Sequence, residues 1–395
     1  MQDYPGLDGS ILLLTLLMTA LMAVLLLVVN RKNGLQVMVL FFVAGYFTYS
    51  GVGLAYDDLA SHYLLPYLGV LLFAGLSLAF FDRLFCGVEE AGNTIFGWFF
   101  EHRLDRAVLV MYLLVILGPL LIPEWRLERL IMPPALDLKS QFEAQFQAQP
   151  TNALLEALKY LKYLLTPWYL IALGRDGLRP LVRVFLILFP LWIDFTVDGY
   201  VGRGPVCVAL IIILYGAWCH GRAWRRWIMA AAILAAPLAV WLLDQYTVLR
   251  LGHEWKPASV AESIVTTVQI ETSLPLSGAK MVRSGRSLPL HEYFFWIATL
   301  PVPKAAFGDL QIIRLNHFFS EIILEVKEGA PGFYVLLPGY SLESVFLFGR
   351  SLSVLNPLIP CALAAFLMRF TRSTKETIYF VAYVLLTMGY TLNRG

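Results

Sequence analysis

Arg314, His317, Glu321 and Glu325 are spaced i, i+3, i+7 and i+11. At about 100° per residue they form one narrow stripe on an otherwise apolar stretch, LQIIRLNHFFSEIILEV (310–326), which reads as an amphipathic helix. Facing a wet cavity, such a stripe offers a cation for an anionic group and a base for a hydroxyl. Facing bulk water, it is the solvated side of an interfacial helix with ordinary i,i+4 pairs. The surrounding segment also holds Arg283, Arg286, His291, Glu292, Lys304 and Glu343, and three of the six histidines (His253, His291, His317). Outside it, Arg203 stands in DGYVGRGP after Asp194 and Asp198, and Arg394 precedes the last glycine. An arginine beside glycine brings guanidinium and backbone N–H groups close to a phosphate, although arginines near an interface also snorkel. The chemistry these residues suit is the holding of an anionic group beside a general base. No two histidines are four apart and no carboxylate cluster resembles a magnesium motif, so no metal is expected. No Walker loop or GxGxxG is present, and no cofactor is expected.

The elements that must position these groups are apolar helices. Of 395 residues, 58% are hydrophobic and 15% charged, and the mean hydropathy is +0.68. A soluble domain carries about 25% charged residues, so lipid is expected to solvate much of this surface. The net charge of +2 without a basic tract excludes nucleic acid as an expected partner. The four cysteines lie in or beside apolar stretches without CxxC spacing and read as small hydrophobes. Ten apolar stretches are long enough to span: 10–30, 35–55, 63–81, 107–123, 154–174, 180–197, 205–221, 227–244, 344–368 and 376–392. The first is too long for a signal peptide and lacks a basic flank, so it is expected to stay as a span. Alternate short loops carry Arg31–Lys32, Arg83–Arg106, Arg175–Arg183, Arg222–Arg226 and Arg369–Lys375, whereas the others are acidic or neutral. The basic set is therefore cytoplasmic and the N-terminus outside.

The expected fold is an all-α polytopic membrane protein with about ten or more transmembrane helices. It divides into an N-terminal bundle (1–244, with an outer loop at 124–153), a large periplasmic loop (245–343) and C-terminal helices (344–395). The loop is expected to hold amphipathic or re-entrant helices, because apolar pieces such as YFFWIATL (293–300) are too short to span. The ending on Arg394–Gly395 suggests a natural chain that continues with further spans.

TLPVPKAAFG (299–308) followed by LPGYSLESVFLFGRSL (337–352) resembles the outer loop and re-entry of bacterial Wzy-type O-antigen and oligosaccharide repeat-unit polymerases. Pro301, Pro303, Gly308, Gly339, Glu343 and Gly349 carry the likeness, as do Arg203–Gly204 opening a span and one large loop late in the chain. The resemblance implies polymerisation of undecaprenyl-pyrophosphate-linked oligosaccharide on the periplasmic face of the inner membrane, without a metal. The growing chain is the donor, the single lipid-linked unit the acceptor, and a chain-length regulator an expected partner. The pyrophosphate leaving group would fall to Arg203, Arg283, Arg286 and Arg314. The base is expected among His291, His317, Glu321 and Glu343, with Lys304, Asp198, Tyr340 and Arg394 binding substrate. An O-antigen ligase, a transporter or flippase, and a membrane scaffold are the alternatives.

Overall fold

The computed structural model describes residues 8–29, 43–56, 59–121, 153–175, 178–198, 203–220, 259–263, 274–299, 315–328, 335–371 and 377–384, with scattered single positions. Among them every regular element is helical. Contacts divide the chain into two units: 1–89 with 268–370 and 384–395, and 90–267 with 371–383. The part of the late loop from residue 268 onward thus shares a unit with the first helices.

The first unit is ordered around two apolar helices, α1 (Gly9–Val29) and α2 (Leu59–Leu84). At 1.5 Å per residue they are about 32 and 39 Å long. The Asp8 carboxylate accepts the backbone N–H groups of Ser10 and Ile11 at 2.8 and 3.2 Å, capping α1 at the end where the helix dipole favours an anion. Thr19 meets the Tyr67 hydroxyl at 2.8 Å, and further along Leu26 covers Gly75. The two helices therefore run in the same direction. The segment 43–56, with a π turn at Phe47–Gly51 and a 3-10 turn at Val52–Ala55, runs the opposite way. Tyr46 stacks on Tyr67 with centroids 4.9 Å apart, and the Asp8 N–H donates to the Ala55 carbonyl at 3.0 Å. Two parallel helices with a return between them are what alternating spans require.

The second unit begins within α3 (Val88–Glu101) and contains α4 (Leu104–Leu117), α5 (Ala153–Leu173), α6 (Pro180–Asp198) and α7 (Arg203–His220). Tyr112 stacks on Tyr169 and Arg175 reaches Asp105, so α4 and α5 are antiparallel. Lys162 pairs with Asp194 at 2.6 Å and Arg183 donates to the Arg175 carbonyl at 2.7 Å, so α6 reverses again.

Four shorter helices complete the first unit: α8 (Leu274–Arg283), α9 (Leu290–Thr299), α10 (Leu315–Leu324) and α11 (Tyr340–Leu352). Met281, Leu288, Tyr293, Phe319, Ile322 and Leu347 make their common core. The apolar side of the stripe-bearing helix α10 faces that core. α12 (Leu358–Phe370) follows. Where the hydropathy suggests one span at 344–368, the structure has a broken pair, α11 with a 3-10 turn and then α12, bent by 54°. Gly349, at φ +72° and ψ 171°, interrupts α11 in a conformation open to glycine, and Pro357 lacks the N–H that would continue a helix across the bend.

Among the described residues α1 and α2 are long and apolar enough to cross a membrane, and the broken pair makes a third candidate. α12 runs parallel to α2: Val354 lies against Gly69, and Arg369 reaches Asp82 at the far end. There Arg369 donates through Nε to the Asp82 carbonyl at 2.9 Å and through an Nη to its carboxylate at 2.8 Å, with Glu89 at 3.4 Å. Both side chains of the central pair are buried. Removing one partner strands a buried charge, whereas replacing both does not. Arg369→Met is therefore expected to cost about 3–5 kcal/mol in detergent-micelle unfolding, and Asp82→Leu with Arg369→Met to recover most of it. Equal losses in the single and double variants would show that the pair does not clamp these helix ends.

Candidate functional site

The site grows out of two helix ends. α8 is held by its small residues: a Cβ on Gly278 would lie 2.3 Å from the Pro338 carbonyl and 2.7 Å from Leu342. With Leu274, Ala279 and Met281 turned inward, α8 presents Lys280 and Arg283 in its last turn, where the helix dipole favours cations. The Ser284 hydroxyl donates to the Met281 carbonyl at 2.7 Å and accepts the Arg286 N–H at 3.2 Å. Gly285, at φ +71°, reverses the chain and adds Arg286 to the group.

α10 ends against α8. The Lys280 ammonium donates to the Ile323 carbonyl at 2.9 Å, closing a last-turn acceptor that the helix itself leaves open. Glu325, just past the end of α10, lies 3.4 Å from Lys280. Around these ends opens a cavity of about 540 Å³ lined by Lys280, Arg283, Arg286 and Glu325 together with Leu59 and Ile322. Three cations face one carboxylate, so the cavity is charged to receive an anion. Leu59 is the first residue of α2, so the cavity opens at the end of that helix opposite Asp82.

The structure brings Arg283 and Arg286 together, as the sequence suggests, and adds Lys280. His317, Glu321 and Glu343 do not line the cavity. His317 Nδ1 lies 2.8 Å from Glu328 Oε1 outside the N–H direction, an ion-pair distance rather than a hydrogen bond. Glu321 accepts the Glu328 N–H at 2.8 Å and fixes the turn after α10. His291 is exposed on the first turn of α9. Glu343 and Tyr340 are buried at the start of α11. Beside them Tyr293 donates to Asn356 at 2.8 Å, and Asn356 donates to Ser344 at 2.9 Å. Burial first, and the Glu343 carboxyl second, push the Tyr293 hydroxyl above its ordinary value, keeping it a proton donor. Asp198 and Arg203 end α6 and begin α7 in the second unit, and their side chains lie outside the described atoms. Lys304, Arg314 and Arg394 lie outside the described residues.

Lys280 is the cation that the sequence reading passes over. The signal is a run of three cations spaced three apart, KMVRSGR (280–286), which stacks side chains on one face of a helix end. No family model, no curated protein and no solved structure matches the chain.

Backbone packing and surface charge separate cleanly here. Gly278→Ala presses a methyl into a backbone carbonyl and is expected to cost about 1–3 kcal/mol. Arg283→Ala removes an exposed side chain and is expected to change stability by less than about 0.5 kcal/mol. Thermal unfolding of the two variants checks the contrast.

Proposed function

We propose that the chain is a polytopic protein of the bacterial inner membrane, with about ten spans, that polymerises undecaprenyl-pyrophosphate-linked oligosaccharide repeat units on the periplasmic face. The observation that carries this reading is the cluster of Lys280, Arg283 and Arg286 around one cavity at the end of an apolar helix. A pyrophosphate attached to a lipid needs cations at that level, with its tail beside apolar helices and its sugars in water. Positioned ammonium and guanidinium groups stabilise the charge that develops as the bond to the anomeric carbon breaks.

Three further features support it. The alternation of basic with acidic loops supports an outer position for the N-terminal end of α2, and with it for the cavity. Helix directions within each unit follow the same alternation: α1 and α2 parallel with a return between them, and α4, α5 and α6 successively antiparallel. The Pro- and Gly-bearing segments 299–308 and 337–352 supply the resemblance to repeat-unit polymerases. In this reading Arg203 and Arg314 are further guanidiniums for the substrate phosphates.

The test is glycan display in a strain lacking the gene. Its surface glycan is expected to stop at a single repeat unit, and the intact gene to restore the ladder. Loss of the single unit as well would overturn the reading in favour of a ligase or a flippase. Arg283→Ala and Arg286→Ala are each expected to slow extension by about 10²–10³-fold at unchanged protein level. Full ladders from both variants would remove the cavity from the mechanism.

A further inference from the structure

We infer that Glu325 is the carboxylate that accepts the proton of the acceptor hydroxyl in this cavity, an assignment that rests on the proposed polymerase reading. Two features single it out. Glu325 has φ +58°, in the left-handed region that, among the described residues, is otherwise taken by Gly285, Gly339, Gly349 and Arg103. A side chain there is strained, and such strain gathers where a group must be aimed. Glu325 also stands just past the C-terminus of α10, where the helix dipole disfavours a negative charge. Glycine at 325 would relieve both penalties. A carboxylate set against two local rules at one position, and lining a cationic cavity, is explained by what it does there.

The neighbouring candidates are committed or placed elsewhere. Glu321 holds the backbone of Glu328, and Glu328 pairs with His317. Glu343 is buried at α11, and neither it nor His291 lines the cavity. Lys280 has its ammonium on the Ile323 carbonyl at 2.9 Å, and its 3.4 Å contact to Glu325 leaves that carboxylate, with 77% of its side-chain surface exposed, open to another donor. Glu325 thus presents an acceptor beside the cations that hold the leaving group.

The step balances without a co-reactant. The acceptor oxygen bonds to the donor's anomeric carbon. The bond from that carbon to the pyrophosphate oxygen breaks, and its electron pair leaves with the pyrophosphate held by Lys280, Arg283 and Arg286. The acceptor's proton passes to Glu325, which then releases it to water.

The test uses the full chain in lipid nanodiscs, with undecaprenyl pyrophosphate as the binding probe and the lipid-linked repeat unit as substrate. Glu325→Gln is expected to lower kcat by about 10²-fold or more without weakening probe binding. Glu325→Gly is expected to raise the thermal midpoint while losing turnover to the same degree. Full turnover in Glu325→Gln would overturn the assignment and leave the polymerase reading standing. Weakened probe binding in Glu325→Gln, or a lower midpoint in Glu325→Gly, would make Glu325 structural and overturn it too. A parent protein that binds the probe but never extends the unit would overturn the polymerase reading itself, and this assignment with it.

Discussion

The pairing of Arg369 with Asp82 clamps the last turn of α12 to the last turns of α2, and the rest of the first unit is arranged from that clamp. A guanidinium and a carboxylate taken out of water are tolerable only together, with their remaining hydrogen bonds filled. The Asp82 carbonyl fills one of them. With that end fixed, α12 must run beside α2, and Val354 meets Gly69 on the way. The bend before α12 then tips α11 away from the direction of α2, so α11 cannot extend α12 as one straight span. It packs instead against α8, closely enough for Gly278 to touch the Pro338 carbonyl. The cavity follows, because α8 docked in this way can only end where α10 ends.

Helix termination supplies the chemistry. The last carbonyls of a helix and its dipole attract cations, so a short helix ending at a surface is a natural place to gather ammonium and guanidinium groups. α8 uses this directly with Lys280 and Arg283. α10 borrows its capping cation from α8, through Lys280 to Ile323, and places Glu325 where a cation or a glycine would be easier. The two helix ends therefore hold charges of opposite sign, one favoured by its position and one opposed to it.

The helices were legible in the sequence because apolar runs and alternating basic loops are governed by one constraint, the cost of polar groups in an apolar solvent. α1, the core of α2, α5 and α6 fall where those runs lie. The break at 349–357 was not, since Gly349 and Pro357 sit in a run that is apolar enough to read as continuous, and an apolar run does not report where the backbone leaves the helix. Arg283 and Arg286 were legible as cations of the long polar segment late in the chain. The fate of the stripe on α10 was not: periodicity places His317 and Glu321 on one face, but the turn after α10 brings Glu328 back to engage both. Spacing along one helix cannot report a residue that returns from beyond its end.

Paired charge shows the same division of labour. Asp82 and Asp194 each meet a cation from another helix, Arg369 and Lys162, and Asp105 meets Arg175 in the turn after α5. Asp194, on an apolar helix, thus has an electrostatic account as the partner of Lys162 across α5 and α6. These pairs match the helix directions that each unit requires, so they select one register over a slipped one in addition to balancing charge. Arg283 and Arg286 belong to no such pair and stand exposed at the cavity, where an unspent positive charge is free to meet a ligand. Among the described residues the charges thus fall into two groups: those paired between structural elements, which specify the fold, and Arg283 and Arg286 past the end of α8, which line a cavity open to a ligand.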